Sequence, residues 1–234
     1  LHHAPENTLA GFRACLELRI GFEFDVARSA DGRLVCIHDD DLKRTTDGAG
    51  KVSERTLADL SRLDAGRWFD PKFAGEPIPT VDEILKLVAE HKQHDVLIAV
   101  DLKADGVAAD VVRLAETHAV LPRLLFIGTT IEQPAVRDAL KRASRKAQAA
   151  VVANKPEEFA TALGDGNGDW VYFRYVPSAD EMAKVRAAGR KAFLAGKTVA
   201  GQETENWKAA ARVGVDGILT DYAVELAATL RSKH

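Results

Sequence analysis

The chain alternates strand-like and helix-like segments along most of its length, and that alternation restricts it to folds built around a parallel sheet. Strand-like runs fall at Ile20–Ala27, Val96–Leu102, Leu124–Gly128, Ala147–Val152, Trp170–Tyr175, Lys191–Ala195 and Gly217–Thr220. A helix-like stretch follows each: Val81–His91 after the first, then stretches opening near Val107, Gln133, Lys155, Ser178, Glu203 and Tyr222. Val81, Ile84, Leu85 and Val88 share one helical face. Ahead of the first strand lies one more helical run, Thr8–Leu18, with Asn7 placed to cap it. Seven strands, each preceded by a helix, predict an α/β TIM (β/α)8 barrel whose first strand is missing from the sequence. An open doubly wound sheet would carry a Gly-rich phosphate turn after its first strand, and none follows here. The length, 234 residues, suits one barrel domain over 1–234.

One segment breaks the rhythm. Residues 28–79 stand where a short strand-to-helix loop belongs, so they read as an insertion after the second barrel strand, on the face where barrel active sites form. The insertion opens with the turn sequence Ser29-Ala30-Asp31-Gly32. Leu34–His38 then predicts a short strand pairing back on Glu23–Ala27, and Thr56–Leu63 a short helix.

Charge and composition narrow the function. Lys plus Arg number 32 against 35 Asp plus Glu, a formal net charge of −3. That balance argues against nucleic acid as a partner and against a polybasic membrane-surface protein. No apolar run approaches the roughly 20 residues of a transmembrane segment. The 2 cysteines, Cys15 and Cys36, are too few for a disulfide scaffold and read as buried thiols. No targeting segment is visible. The compartment stays open, with the cytoplasm as default and the periplasm or secretion as alternatives if a segment precedes Leu1. Oligomeric state is likewise open.

Strand side chains alternate, so in Gly21-Phe22-Glu23-Phe24-Asp25-Val26 the carboxylates Glu23 and Asp25 share one face and Phe22, Phe24 and Val26 the other. Two acids aimed into a barrel mouth either hold a divalent cation or are salt-bridged or solvated; spacing alone leaves both readings open. Asp101 and Lys103 share a face at the end of the next barrel strand. They read either as a third metal ligand with a cation for a bound anion, or as a pair at a strand end. His38 is a candidate general acid or base, or a satisfied polar residue. Arg174 either grips an anion or pairs with a neighbouring acid. Trp207 reads as core, and Lys197 stays without a role.

Several segments, in order, resemble the glycerophosphodiester phosphodiesterase family. They are Pro5-Glu6-Asn7-Thr8, Glu23-Phe24-Asp25-Val26, Asp31-Gly32, His38-Asp39, Leu42-Lys43-Arg44-Thr45-Thr46, Leu63-Asp64-Ala65-Gly66, Ile78-Pro79-Thr80, Asp101-Leu102-Lys103 and Gly214–Asp221. The resemblance spans essentially the whole chain and is densest over Pro5–Thr80. It implies a TIM barrel with an insertion after the second strand, a cation (Mg2+ or Ca2+) held by Glu23, Asp25 and Asp101, substrate contact by Lys103, and a catalytic His at His38. Two positions depart from the family pattern: Asp101 stands where Glu is usual, and Lys197 where an aromatic residue is common. The family's His-Arg-Gly segment, which supplies a second catalytic His, would fall a few residues before Leu1. His2 and His3 sit too close to Pro5 to take its place.

The expected reaction is metal-dependent hydrolysis of a small glycerophosphodiester to an alcohol and glycerol 3-phosphate, with His38 protonating the leaving alcohol. Alternatives are a phospholipase-D-like or lysophospholipid-cleaving enzyme, with Trp68, Phe69 and Phe73 as an acyl rim, and a catalytically impaired module that binds a phosphate ligand. A metal-dependent sugar isomerase is more distant, because an inserted His38 strand does not suit it.

Overall fold

A computed structural model of the chain describes residues 3–91 and 96–231. The chain forms two compact units, one of Leu1–Thr129 with Ala139–Ala147, the other of Thr130–Asp138 with Gln148–His234. In the first unit the strands are β1 (Phe22–Arg28), β2 (Leu34–Cys36), β3 (Ile98–Leu102) and β4 (Leu124–Gly128), ordered β2-β1-β3-β4. In the second they are β5 (Gln148–Ala153), β6 (Trp170–Phe173), β7 (Lys191–Leu194) and β8 (Gly217–Ile218), side by side in chain order. The pairs β1–β3 and β3–β4 are parallel, as are β5–β6, β6–β7 and β7–β8. The antiparallel exception is β2, the inserted strand, which pairs Val26 with Cys36 and Arg28 with Leu34.

The alternation in β1 explains how it is held. Phe22, Phe24 and Val26 are buried, and helix α1 (Leu9–Glu17) lays Phe12 against them, its ring stacked on Phe22 with centroids 4.4 Å apart. Burying an aromatic side chain of this kind contributes about 1.5–3 kcal/mol. The opposite face of β1 is thereby left for Glu23 and Asp25. In α1 the capping residue is Thr8, whose Oγ1 accepts from the Gly11 N–H, and not Asn7. Asn7 instead has a left-handed backbone, φ 53°, that turns its side chain toward β1.

The insertion has a small core of its own. Val35, Ile37, Leu42, Val52, Leu60, Ala65 and Ile78 are buried together. The helix expected over Thr56–Leu63 is a single turn, α2 (Leu57–Leu60), closed by a capping box between Thr56 and Asp59. The strand expected to reach His38 ends two residues earlier, at Cys36, because His38 lies past the last pairing with β1. The remaining helices follow the sequence expectation closely: α3 (Val81–Glu90) buries Val81, Ile84, Leu85 and Val88, the face with the 3.6-residue period. Near Lys155 a 3-10 turn over Pro156–Glu158 precedes the helix Phe159–Gly164. No helix among the described residues is long and apolar enough to cross a membrane.

Candidate functional site

Strand register brings three carboxylates together. Glu23 and Asp25 are two residues apart on β1, and Asp25 is the direct parallel partner of Asp101 on β3. Side chains paired across a parallel ladder point to the same face, so all three converge. Their ligand oxygens lie within 4.8 Å of one another. The Lys103 ammonium closes one side, 3.2 Å from Asp25 Oδ1 and 3.2 Å from Asp101 Oδ2. Three carboxylates against one ammonium carry a net charge of −2 when ionised, which a single divalent cation neutralises.

Several features fit these residues to a hard divalent cation. Every donor is a carboxylate oxygen, the class that Mg2+ and Ca2+ prefer. Glu23 Oε1 and Asp101 Oδ1 are buried with no hydrogen-bond partner, the condition that is costly unless something else satisfies them. Burial, with Asp25 and Asp101 adding like charge, raises the Glu23 carboxyl well above its ordinary range. Burial also raises Asp101, outweighing Lys103. For Lys103, burial alone would lower the ammonium, but Asp101 and Asp25 outweigh it and raise it. Gly128, at the end of β4, has φ +72°, and a Cβ there would overlap Asp101 Oδ1. A glycine at this point leaves the space that the Asp101 carboxylate occupies. The shorter Asp at position 101 still reaches the other two acids.

Asn7 is a site residue that the sequence reading assigned to a helix cap. Its Nδ2 donates to Asp25 Oδ2 at 2.8 Å, and its Oδ1 accepts the Asp25 backbone N–H at 3.2 Å. The same Oδ1 accepts from the buried Cys36 thiol at 2.8 Å. Asp25, 2% exposed, is therefore held at both its backbone and its carboxylate. The only cue in the sequence was its position in Pro5-Glu6-Asn7-Thr8.

His38 is exposed, whereas Leu34 and Cys36 of β2 are buried, so it does not pack as a member of that strand. When protonated it would favour the ionised form of Asp101, the smallest of the influences on that carboxyl and well below burial. Its Nδ1 pairs with Asp39 Oδ1 at 2.7 Å. In the second unit, Trp207 is buried, with its indole N–H donating to Val199 O, as expected of a core residue. Arg174 has Glu132 as a neighbouring acid at 3.8 Å, and Lys197 is exposed. His2 lies outside the described residues.

The profile of the glycerophosphoryl diester phosphodiesterase family matches residues 2–225. A glycerophosphodiester phosphodiesterase of Caldanaerobacter subterraneus subsp. tengcongensis is 32% identical over 230 residues, covering 94% of this chain and 89% of that protein. A solved glycerophosphodiester phosphodiesterase from Agrobacterium tumefaciens superposes with a TM-score of 0.80 at 24% identity, covering 97% of this chain and 94% of that one. An Oleispira antarctica phosphodiesterase, solved with its product sn-glycerol-3-phosphate, superposes with a TM-score of 0.77 at 24% identity, over 97% and 92% of the two chains. The fold class is that of these structures, an α/β TIM barrel.

Proposed function

The chain belongs to the glycerophosphoryl diester phosphodiesterase family, and from that premise we propose that it hydrolyses glycerophosphodiesters to glycerol 3-phosphate and an alcohol, using one divalent cation, Mg2+ or Ca2+, held by Glu23, Asp25 and Asp101. Membership makes it a phosphoric diester hydrolase. The observation that carries the metal site is the convergence of three carboxylates within 4.8 Å, two of their oxygens buried without partners. The reading takes 1–234 as one domain with 28–79 as its insertion.

Diester hydrolysis needs the phosphate charge neutralised, a nucleophile activated and the leaving alkoxide protonated. When bound, the cation supplies Lewis acidity and positive charge at a phosphate oxygen. Lys103 has three N–H donors and uses two on Asp25 and Asp101, which leaves one for a phosphate oxygen whose charge grows in the transition state. His38, exposed and within electrostatic reach of Asp101, gives a proton to the leaving alcohol oxygen, a contribution of about 10²–10⁴-fold.

The test is release of glycerol 3-phosphate from a glycerophosphodiester. Glu23→Gln and Asp25→Asn should abolish turnover while circular dichroism stays that of the folded protein. His38→Ala should lower kcat at least about 10²-fold with little change in KM. That loss should shrink for a p-nitrophenol leaving group, which needs less protonation. Full turnover by both carboxylate variants would overturn the metal site. Equal losses by His38→Ala on natural and activated diesters would overturn the acid role.

A further inference from the structure

Three charged side chains, Glu6, Arg44 and Asp39, form an unbroken hydrogen-bonded chain that ends on His38. Glu6 accepts from Arg44 at both carboxylate oxygens, Nη1 to Oε2 at 2.8 Å and Nη2 to Oε1 at 2.7 Å. The same guanidinium reaches Asp39 from its other edge, Nε to Oδ2 at 2.6 Å and Nη2 to Oδ1 at 2.9 Å. Asp39 Oδ1 in turn takes His38 Nδ1 at 2.7 Å. Four of the five guanidinium N–H groups are thus spent on two carboxylates in planar, two-pronged pairs, the geometry that distinguishes a fixed Arg from a loose surface one.

Resting on the reading of His38 as the acid, we propose that Asp39 and Arg44, braced by Glu6, are positioning residues that hold the His38 ring with its Nδ1–H on Asp39, so that Nε2 is the atom that exchanges a proton with substrate. The chemistry of imidazole supports this assignment. A carboxylate accepts at Nδ1 only when that nitrogen carries the proton, which leaves Nε2 as the free site in the neutral ring and as the outward N–H in the imidazolium. Asp39 remains an acceptor because its hydrogen bonds from Arg44 and His38 hold its carboxyl far below the usual carboxylate range. The Arg44 guanidinium is held charged still more firmly by Glu6 and Asp39.

The chain also fixes where His38 sits. Glu6 is the neighbour of Asn7, and Asn7 grips Asp25. One short segment ahead of α1 therefore ties the proton-transfer group, through Arg44 and Asp39, to the same frame that holds a proposed cation ligand. This accounts for the joint presence of Pro5-Glu6-Asn7-Thr8, His38-Asp39 and Arg44: each supplies one member of a single brace.

The experiment has a spectroscopic arm and a kinetic arm. Ring ¹⁵N chemical shifts of His38 at a pH where it is neutral should show the Nδ1–H form in the wild type, and Asp39→Asn should shift the ring toward the Nε2–H form usual for free imidazole. In activity, Asp39→Asn should lower kcat about 10- to 100-fold with little change in KM, the scale of a misplaced catalytic group. Glu6→Gln should act in the same direction by a smaller factor. The loss from Asp39→Asn should disappear in a His38→Ala background, which a merely structural role would not produce. All of these side chains are partly exposed, so the variants should fold, and thermal unfolding checks that. An unchanged tautomer with full activity in Asp39→Asn, while His38→Ala remains impaired, overturns the brace and leaves the function standing. Additive losses in the double variant also overturn it. Full activity of His38→Ala overturns the acid reading itself, and the brace falls with it.

Discussion

Replacing Asn7 with Ala tests how the carboxylate site is supported, and the structure sets the size of the effect. The change removes the 2.8 Å bond from Nδ2 to the Asp25 carboxylate, a charge-assisted bond of about 1.5–3 kcal/mol. It also leaves the Asp25 backbone N–H, on a residue only 2% exposed, without its acceptor, at a further ~1–3 kcal/mol. Finally, Ala must take the left-handed backbone at φ 53°, which Asn tolerates better, at about 1 kcal/mol. The contributions share one side chain and do not simply add, so the expected loss is about 3 kcal/mol. Urea unfolding measures it, with an unchanged m-value showing that the unfolded state is not the cause. Asn7→Gly, which has no difficulty at positive φ, should be about 1 kcal/mol less destabilised than Asn7→Ala. In calorimetry with Mg2+ or Ca2+, either variant should bind about 10- to 100-fold more weakly, the usual effect of removing a partner that orients a metal ligand. A loss under about 1 kcal/mol with unchanged cation affinity would refute the reasoning.

Other expectations follow from single features. Gly128→Ala should push the Asp101 carboxylate out of line and weaken cation binding while far-ultraviolet circular dichroism stays unchanged; undiminished affinity would mean that the close approach of Gly128 to Asp101 is not needed. Asp64 accepts the backbone N–H groups of Gly66, Arg67 and Gly75, which lower its carboxyl to about 2. A depressed carboxyl contributes stability that is present above its unfolded value near 4 and is lost as pH falls toward 2. Urea midpoints should therefore drop over that window in the wild type and drop less in Asp64→Asn, and parallel curves would count against the assignment. Leu60 is fully buried in the core of the insertion, so Leu60→Ala should cost about 2–5 kcal/mol and raise amide exchange over 28–79; unaltered exchange there would contradict a core of that kind.

The carboxylates were legible because a strand has a period of two: Glu23 and Asp25 had to share a face once Phe22, Phe24 and Val26 claimed the other. The meeting of Asp25 with Asp101 needed two more facts: that β1 and β3 are parallel neighbours, which alternation of strands and helices makes the default, and their register, which is read only from the fold. Asn7 was misread as a cap because Asn and Thr are both good capping residues, and Thr8 beside it took the position. What sends Asn7 to Asp25 is a positive φ, which no local pattern announces. Glu6 and Arg44 stand 38 residues apart and meet only because the insertion folds back with its own core, so their pairing is a tertiary fact. The end of β2 was placed two residues late for a similar reason: the apolar run Leu34–Ile37 carries on past Cys36, but the pairing with β1 stops at Cys36 although β1 itself extends back to Phe22.

The most direct test is to titrate Mg2+ or Ca2+ back into chelator-stripped protein while following glycerol 3-phosphate released from a glycerophosphodiester, in the wild type and in Asp25→Asn side by side. The account predicts no release without cation, saturable recovery with one cation per chain in the wild type, and none in Asp25→Asn. Full release in excess chelator, or equal recovery in the variant, would contradict it.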